Sequence, residues 1–590
     1  MPRQVFNVFL IKPSHYDDQG YVIQWYRSAI PSNTLAALNG LMCDCMERRV
    51  LGDDVDIRVT SYDETNTRIR PDIIIRRIRE EGGRGLVCLV GVQSNQFPRA
   101  MDIGRPLRTA GIQVCIGGFH VSGCVAMLPE LPPDIRAAQE LGISLFAGEA
   151  EYRLDEVLQD AWNGRLQPLY NYMNDLPGIN GAPVPILPNT RVYRTAGGLA
   201  SFDAGRGCPF MCSFCTIINV QGRKSRYRTA DDIERIIREN ATQGIYSYFI
   251  TDDNLARNRE WENIFDRLIY LREEEGLPIR FIIQVDTLCH KIPNFIEKAA
   301  RAGVRRVFIG LENINPESLV SAHKKQNRIT DYRMMLQAWK NASVITYAGY
   351  ILGFPGDTPE TIVRDIEIIK RELPIDLLEF FLLTPLPGSA DHKALWQKGV
   401  WMDPDMNKYD LEHATVAHDT MSREELERAY RLAWDTYYMP EHCETVMRRA
   451  VARGISPGKV LFLMLWFYGC ITLEKVHPLQ GGYFRRKYRR DRRPGLPLEN
   501  PLLFYGRYAR EILSKHLRLA RMCARLMRVR RELKRDLRAR EYTDLSLQPV
   551  TDADLETLHM YTVTEAAAAS AEKARRRQQR AAARNREAVD

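Results

Sequence analysis

Short apolar runs alternate with amphipathic segments over the first 165 residues. Segments with helical periodicity occupy 33–49, 71–81 and 98–110, and the apolar runs around them have the length of buried strands: 5–11, 55–60, 86–92, 113–117 and 144–147. Five β/α units of this spacing predict a Rossmann-like domain with a doubly wound parallel sheet. Such a sheet binds ligands at the carboxyl ends of its strands.

The same alternation returns between residues 196 and 405. Helical segments such as 230–243 and 294–302 separate predicted strands at 199–203, 246–251, 280–284, 306–310, 345–352 and 378–383. Six β/α units are fewer than the eight of a complete barrel, so the pattern predicts a partial barrel with its site at the carboxyl strand ends. The predicted fold class is therefore α/β, with a Rossmann-like domain followed by a partial (β/α)6 barrel.

Three further regions lack the strand pattern. Residues 166–195 are rich in Pro, Asn and Gly, which indicates a linker. Residues 406–550 have helical periodicity and predict a mainly helical C-terminal region. Residues 551–590 are low in complexity, with runs of Ala and Arg, and we expect them to be disordered.

Charge is concentrated in one segment of the chain. Hydrophobic residues make up 45% of the sequence, which is enough for buried cores, and the net charge is +9. The segment 485–493 (RRKYRRDRR) contributes +6 of that charge. Because the rest of the chain is close to neutral, general nucleic-acid binding is not indicated.

The basic segment follows a strongly apolar stretch at 460–473, and two interpretations fit the pair. One is a peripheral membrane contact through 460–493, at the inner face of the membrane, in which apolar side chains enter the lipid interface beside anionic headgroups. The other is a buried helix followed by a solvated loop. A span would take about 20 apolar residues, which this stretch does not reach.

The chain has 12 cysteines, of which only Cys208, Cys212 and Cys215 are clustered. No secretory signal is recognisable, so the cluster indicates metal binding in a reducing compartment, the cytoplasm, and not disulfides. Three thiolates spaced C-x3-C-x2-C can bind three irons of a 4Fe-4S cluster and leave the fourth iron open. A structural zinc site would require a fourth ligand, and the nearest downstream cysteine is Cys289.

With Phe214 before its last cysteine, this loop resembles that of the radical S-adenosylmethionine (SAM) superfamily. The resemblance implies that SAM binds the open iron and is cleaved by one electron to a 5′-deoxyadenosyl radical. Later segments at the predicted strand ends resemble the family in the same order: FITDDN at 249–254, QVD at 284–286, GLEN at 310–313, GYILGFPG at 349–356 and LTPLPG at 383–388. One position departs from the family, since Gly356 stands where the motif GxIxGxxE has Glu.

The resemblance covers about residues 195–405 and implies a set of contacts to SAM. A helix-cap or turn role is the alternative for Asp286. The implied contacts are Phe214, Asp252, Asp253, Gln284, Asp286, Glu312, Gly349, Leu352 and Gly353.

The N-terminal domain lacks a GxGxxG fingerprint after its first strand, which argues against a dinucleotide. Its loops GVQSN (91–95), IGGFH (116–120) and GEAE (148–151) resemble those of the cobalamin-binding domain of cobalamin-dependent radical SAM enzymes. No D-x-H-x-x-G motif occurs, so no histidine is expected below the cobalt, and packing between loops is the alternative role for His120. The implied cobalamin contacts are Gln93, Ser94, Gly117, Gly118, His120, Gly148 and Glu149.

Together, the two sites resemble the branch that contains hopanoid methylases and the anaerobic Mg-protoporphyrin ester cyclase. That resemblance implies a C-methyltransferase for an unactivated carbon of a small molecule, such as a lipid or a secondary metabolite, with an electron donor such as flavodoxin or ferredoxin. Alternatives are a cobalamin-dependent cyclase or oxidoreductase without methyl transfer, and a non-catalytic cobalamin or redox sensor. A methylthiotransferase would require three further N-terminal cysteines, and Cys43 and Cys45 are too close together for that pattern.

Overall fold

A computed structural model describes residues 3–324, 327–561, 567–573 and 575–576. Its strands are β1 (Gln4–Lys12), β2 (Gln24–Ser28), β3 (Val55–Asp63), β4 (Gly85–Leu89), β5 (Gln113–Gly117), β6 (Ser144–Ala147), β7 (Leu169–Asn171), β8 (Leu199–Phe202), β9 (Gly205–Arg206), β10 (Arg226–Tyr227), β11 (Ser247–Ile250), β12 (Arg280–Val285), β13 (Val304–Glu312), β14 (Ile345–Leu352), β15 (Leu377–Leu382) and β16 (Gly482–Arg486).

The helices follow most strands, as the alternating pattern predicts. They are α1 (Asn33–Glu47), α2 (Pro71–Glu80), α3 (Phe97–Thr109), α4 (Phe119–Met127), α5 (Pro133–Glu140), α6 (Leu154–Trp162), α7 (Asn189–Val192), α8 (Ile217–Val220), α9 (Ala230–Thr242), α10 (Trp261–Glu273), α11 (Phe295–Ala302), α12 (Pro316–Ser321), α13 (Ile329–Asn341), α14 (Pro359–Glu372), α15 (Ala390–Gln397), α16 (Arg423–Tyr437), α17 (Pro440–Ala452), α18 (Pro457–Tyr468), α19 (Pro501–Arg535) and α20 (Asp552–Met560).

The N-terminal sheet is parallel, with the order β3-β1-β4-β5-β6-β7. Its first five strands in the chain coincide with the five predicted ones. β7 lies inside the predicted linker and extends the sheet past residue 165. Apolar clusters pack on both faces of the sheet, and for that reason β4 is a continuous buried run. The strand order reverses direction between β1 and β4, and the crevice at such a point is a preferred place for a ligand.

The second sheet confirms the predicted partial barrel. Six parallel strands follow in the order β8-β11-β12-β13-β14-β15, and β8 does not pair with β15. Along β13 the side chains alternate as the pleat requires. Val307, Ile309 and Leu311 are fully buried among the surrounding helices. The alternate residues Arg306, Phe308 and Gly310 therefore face the barrel interior.

The apolar stretch 460–473 is buried in protein, as in the second interpretation. It forms α18 and a following π-helical turn, Gly469–Glu474, and its side chains join the core that surrounds the barrel. Of its large apolar residues, Phe462 is exposed (45%). Within the described ranges, none of the helices combines the length and hydropathy that crossing a bilayer requires.

The basic segment 485–493 joins the C-terminal region to the N-terminal domain. Its strand β16 pairs antiparallel with β2. Arg485 contacts Asp17 at 3.0 Å, and Asp491 contacts Arg68 at 2.7 Å. The segment is therefore not a free solvated loop, because its charges neutralise acids and bases elsewhere in the chain.

Part of the predicted disordered tail is ordered. α20 begins with a capping box in which the side chains of Thr551 and Asp554 satisfy backbone N–H groups reciprocally. Asp554 also pairs with the buried Arg333 of α13 at 3.5 Å. The prediction of disorder is wrong for this helix, because its carboxylate neutralises a cation of the barrel. Residues 562–566, 574 and 577–590 of the predicted tail lie outside the described residues.

Candidate functional site

The three clustered cysteines lie on a loop that closes on itself. This cysteine loop, residues 207–225, joins β9 to β10, and these two strands pair antiparallel. Gly207 has φ +91°, and a side chain there would bring its Cβ to 2.7 Å from the carbonyl oxygen of Lys224. The backbone N–H of Cys208 donates to the carbonyl oxygen of Gly222 at 3.3 Å. The two ends of the cysteine loop are thus held close together.

The three thiols have the properties of a cluster site. Cys212 is buried, and Cys208 and Cys215 are half-buried. Burial raises the pKa of all three thiols, to about 12 at Cys215. The thiolate form therefore requires nearby positive charge, which bound iron supplies. No three His, Cys, Asp or Glu side chains of the described residues surround a single ion position. A 4Fe-4S cluster differs from a single ion because each cysteine binds a different iron, so this donor set fits the cluster.

Lys324 is a buried cation beside the cysteine loop that the sequence analysis did not find. Its charge opposes the rise in the pKa of Cys208 and Cys212. Its ammonium pairs with Glu312 and donates to the carbonyl oxygen of Gly310 at 3.3 Å. Glu312 has φ +65° at an irregularity in the pairing of β13 with β14. The predicted SAM contact Glu312 thus lies beside the cysteines, already paired with a lysine.

Asp252 and Asp253 hold the start of the cysteine loop. Asp252 accepts from the backbone N–H groups of Ala204 at 2.6 Å and Gly205 at 2.8 Å. Asp253 accepts from the N–H of Gly207 at 2.9 Å. Burial raises the pKa of both carboxyls to about 7. Both side chains are brought to the predicted site, where they position the loop.

Asp286 and Gln284 lie at the end of β12. Asp286 accepts from Arg257 at 2.6 Å, from Asn254 at 2.9 Å and from the backbone N–H of Leu288 at 2.7 Å. These contacts are those of a turn-stabilising carboxylate, the alternative role for this residue. Gln284 donates to the backbone oxygen of Asp252 at 3.4 Å.

The end of β14 faces the mouth of the barrel mainly with its backbone. A Cβ on Gly349 would lie 2.9 Å from Phe308 and 3.3 Å from Phe381, so the glycine makes room for these two rings in the barrel interior. The side chain of Leu352 is fully buried in the core. The N–H of Gly353 donates to Asp357 at 2.9 Å, which fixes the turn that follows.

Phe214 packs in an apolar cluster with Ala322, Ile351 and Phe354. A cavity with about 1020 Å³ between its walls opens beside this cluster and is lined by Ser213 of the cysteine loop. Phe214 therefore lies between the cysteines and the end of β14, where the resemblance implies an adenine.

The N-terminal domain contains a cleft at the carboxyl ends of β1, β4, β5 and β6. The cleft has about 1050 Å³ between its walls, which are mostly apolar. It begins at the point where the strand order reverses, since Leu10 of β1 and Leu89 of β4 both line it. Gly118 has φ +150°, and a Cβ there would clash with the backbone of Val92, so the glycine allows two loops to touch. Of the predicted cobalamin contacts, Gly117, Gly118, Gly148 and Glu149 line the cleft.

The other predicted cobalamin contacts, Gln93, Ser94 and His120, do not line the cleft. The ring of His120 is 1% exposed, with Nδ1 3.1 Å from Ser94 Oγ and Nε2 2.8 Å from Asp134 Oδ2. Phe97 packs on the ring at 4.5 Å between centroids. This is the loop-packing role, because both ring nitrogens are occupied by protein. Gln93 is exposed and caps the short helical turn that carries Ser94.

A buried cation joins the cleft to the barrel. Arg206 contacts Glu149 at 2.6 Å, Glu151 at 2.7 Å and Asp203 at 2.5 Å. Glu149 also pairs with Arg226. Arg206 lines the cleft, and so do Val220 and Gln221 of the cysteine loop. The two predicted cofactor sites therefore share a wall, because Arg206 is only two residues before Cys208.

Glu379 is a buried acid in the barrel that the sequence analysis also missed. It lies on β15 opposite Gly349 of β14, and it is 2% exposed. Burial raises the pKa of this carboxyl to about 8, and Oε2 has no hydrogen-bond partner in the described structure. In the sequence, the feature that could have revealed Glu379 is a single acid inside the apolar strand LLEFFL.

Comparisons with known proteins agree with this geometry. Residues 204–369 match the model of the Radical SAM superfamily. A bacteriochlorophyllide d C-12(1)-methyltransferase of Chlorobaculum tepidum is 27% identical over 53% of this chain and 66% of its own length. A hopanoid C-2 methylase of Rhodopseudomonas palustris is 24% identical over 56% of this chain and 61% of its own length. The match thus spans about two thirds of the length of these relatives.

Two solved structures share the fold. The radical SAM methyltransferase TsrM of Kitasatospora setae, with cobalamin and a 4Fe-4S cluster bound, has a TM-score of 0.50 at 17% identity, covering 67% of this chain and 78% of its own. The cobalamin-dependent radical enzyme OxsB, with aqua-cobalamin bound, has a TM-score of 0.50 at 13% identity. This match covers 94% of this chain and 84% of OxsB. The predicted order of a Rossmann-like domain, a barrel and a helical region is confirmed.

Replacing Arg206 should destabilise the protein strongly. Arg206→Met removes a cation from three buried carboxylates and leaves Glu151 without an ion-pair partner in the described structure, and we expect a loss of about 3–5 kcal/mol in the free energy of unfolding. The matched control is Arg48→Met, because Arg48 pairs with two acids at an exposed position (47%) and should cost about 0–1 kcal/mol. Urea denaturation measures both values, and equal costs would contradict a structural role for the Arg206 cluster.

Glu379 should make stability depend on pH. Its folded-state pKa of about 8 lies above the ordinary value of 4.5, so the folded protein binds the extra proton and loses stability as pH rises from about 4.5 to 8. Relative to the wild type, Glu379→Gln should gain up to about 1.4 kcal/mol per pH unit in that window. Urea denaturation at several pH values measures this, with the exposed Glu130→Gln as control. A constant difference would refute the assignment.

Proposed function

This chain contains a radical SAM domain, and on that premise we propose that it is a cobalamin-dependent C-methyltransferase acting on an unactivated carbon of a small molecule. The observation that carries the proposal is the shared wall between the cysteine loop and the N-terminal cleft. A radical formed at the loop and a methyl donor held in the cleft would then lie next to each other. The similarity to methyltransferases of the same class supports the proposal.

When bound, the cluster supplies the electron that cleaves SAM, and cobalamin supplies the methyl group. The residues of this chain hold and orient both. Cys208, Cys212 and Cys215 would each bind one iron. Asp252 and Asp253 fix the loop through backbone N–H groups, which keeps the thiols in position. The positive charge of Lys324 offsets the negative charge that collects at the thiolates.

The cleft suits a large, mostly apolar ligand that approaches the backbone closely. Gly117, Gly118 and Gly148 line it without side chains, and Leu41 and Met42 of α1 give it an apolar floor. Arg206 lines the side next to the barrel, where its carboxylate partners neutralise its charge. Because His120 is enclosed, the cobalamin contacts that we propose for this loop are made by its glycine backbone.

The electron must come from outside the site. Apart from the closely spaced pair Cys43 and Cys45, the cysteines beyond the loop are isolated from one another in the sequence, and none of them belongs to a second cluster motif. We therefore propose a separate one-electron donor, such as flavodoxin or ferredoxin, that docks near the exposed side of the cysteine loop.

Anaerobic reconstitution with iron, sulfide and cobalamin tests the function. With SAM, a strong reductant and candidate substrates, the wild type should form 5′-deoxyadenosine, S-adenosylhomocysteine and a product heavier by one methylene group. Cys212→Ala should lose these products but retain bound cobalamin in its absorption spectrum. Cys289→Ala is the matched control, because Cys289 is buried outside the loop.

The products distinguish the alternatives. Deoxyadenosine with an unmethylated but altered substrate would favour the cyclase or oxidoreductase. Cobalamin binding without deoxyadenosine would favour the sensor and contradict the proposed enzyme.

We further propose that the membrane contact, first placed at 460–493, is made by α19. Leu502, Leu513 and Leu517 are 85%, 63% and 54% exposed, and their spacing places them on one face of the helix. The opposite face packs on the body of the protein through the buried Phe504 and Leu526. A helix with apolar residues on two faces requires a second partner for the outer one.

The charge of α19 favours an anionic lipid surface as that partner. The helix has eleven basic and two acidic residues. Exposed arginines such as Arg510, Arg518 and Arg521 flank the leucines. Two copies of such a helix repel each other, whereas anionic headgroups attract it while the leucines enter the interface.

Flotation with lipid vesicles tests this contact. The wild type should float with phosphatidylglycerol-containing vesicles at low salt, and not with pure phosphatidylcholine. The double variant Leu513→Ser, Leu517→Ser should partition at least about tenfold less, because two large apolar side chains no longer leave water. Val320→Ser is the control, since Val320 is equally exposed (51%) but lies on the barrel. Unchanged flotation of the double variant would contradict the proposal.

A further inference from the structure

A large cavity lies at the end of the barrel opposite the cysteine loop. Its lining includes Ser247, Arg280 and Ile345, the first residues of β11, β12 and β14. The start of α18 and one residue of α19 cover it from outside. The space between its walls is about 1910 Å³, which exceeds that of the cleft and of the cavity beside Phe214.

The charged side chains around this cavity are all positive. Arg280, Arg305, Arg306, Lys459 and Arg530 line it, and no Asp or Glu does so among the described residues. None of these five cations forms an ion pair within the described ranges, although ion pairs are frequent elsewhere in the chain. Uncompensated like charges around one space raise the free energy of the empty site and attract an anion.

Two of the arginines lie in unfavourable surroundings. The pKa of Arg305 is lowered by burial and by the neighbouring Arg272 and Arg280. The Nε atom of Arg530 is buried without a hydrogen-bond partner in the described structure. A donor left in this state costs free energy unless a ligand accepts from it.

The N-terminus of α18 lies on the same side of the cavity. Ser456 is the N-cap of this 12-residue helix, and its side chain makes no capping hydrogen bond. Ser456 and Lys459 both line the cavity, so the positive end of the helix faces it. The helix end and the five side chains thus both favour an anionic ligand.

Serine and tyrosine side chains also line the cavity, and the rest of its wall is apolar. Leu199, Ile455, Phe462 and Leu463 line the cavity beside the cations, while Arg280 and Lys459 are exposed at its opening. A free inorganic anion would leave those walls wet. A phosphorylated molecule with an apolar body would satisfy both parts of the lining.

We propose that this cavity binds a phosphate or diphosphate ester that carries an apolar group. Phosphate groups present several negative oxygens, which match clustered guanidinium groups better than a single carboxylate does. The site lies at the opposite end of the strands from the cysteines, so it is independent of the proposed methyl transfer. The ester is either a soluble metabolite or the headgroup of a lipid.

Calorimetric titration of the full-length protein tests the site, with inorganic pyrophosphate and geranyl diphosphate as probes at constant ionic strength. Arg306→Gln and Arg530→Gln should each weaken binding by about tenfold or more, because each removes a charge-assisted contact. Arg136→Gln is the control, since Arg136 is an exposed arginine of the N-terminal domain. It should bind both probes as the wild type does.

Thermal unfolding with and without pyrophosphate gives a second readout. Without ligand, removing one of several uncompensated cations should leave the melting temperature unchanged or raise it. Pyrophosphate should raise the melting temperature of the wild type more than the melting temperature of either variant. Lys459 is exposed, so Lys459→Gln should fold even if a variant of a buried arginine does not. It should then show the same weaker stabilisation by pyrophosphate.

The probes separate the two sources of the ester. Tighter binding of geranyl diphosphate by about tenfold assigns a lipid-like ligand, because apolar burial then contributes. A smaller gain assigns a soluble ester with a short apolar group, and equal affinities contradict the apolar part of the proposal, because the geranyl chain would then contribute nothing. Absence of pyrophosphate binding, or equal affinity in the wild type, Arg306→Gln and Arg530→Gln, overturns the proposal.

Discussion

The pairing of Arg206 with three carboxylates is the contact on which the geometry of the site depends. A guanidinium removed from water is stable only where opposite charges surround it closely. Glu149 and Glu151 come from the N-terminal domain, and Asp203 comes from the barrel. Because Arg206 immediately precedes the cysteine loop, the contact that joins the domains also sets the position of the cysteines against the cleft. A small shift between the domains would therefore separate the two cofactor sites and expose a charge.

The strands could be predicted from the sequence because of where they lie. A parallel sheet covered by helices on both faces buries each strand completely, so each strand appears as a short apolar run between polar segments. β4, with the sequence GLVCL, is such a run. The same reasoning brings the polar residues after each strand to one edge of the sheet. The fold and the region of the site follow from periodicity alone.

The partners of those polar residues could not be predicted in the same way. A carboxylate that follows a strand can bind a ligand or the N–H groups of its own turn, and both outcomes leave the same sequence. Asp252 and Asp286 bind protein groups because the paths of the neighbouring loops bring donors to them. The apolar stretch 460–473 posed a similar choice, since lipid and protein interiors exclude water equally well. Only the position of the barrel core decides between them.

The pairing of β2 with β16 has a consequence for how the chain is made. Ser28 and Gly482 are register partners although about 450 residues separate them. Trp25 of β2 is 1% exposed, and its indole donates to the carbonyl oxygen of Gln480 at 2.9 Å. At ordinary rates of translation, this edge of the N-terminal domain waits on the order of tens of seconds for its partner strand. The N-terminal domain is thus finished by a strand that is synthesised about 450 residues later, and until then its tryptophan edge is open to chaperones or to wrong partners.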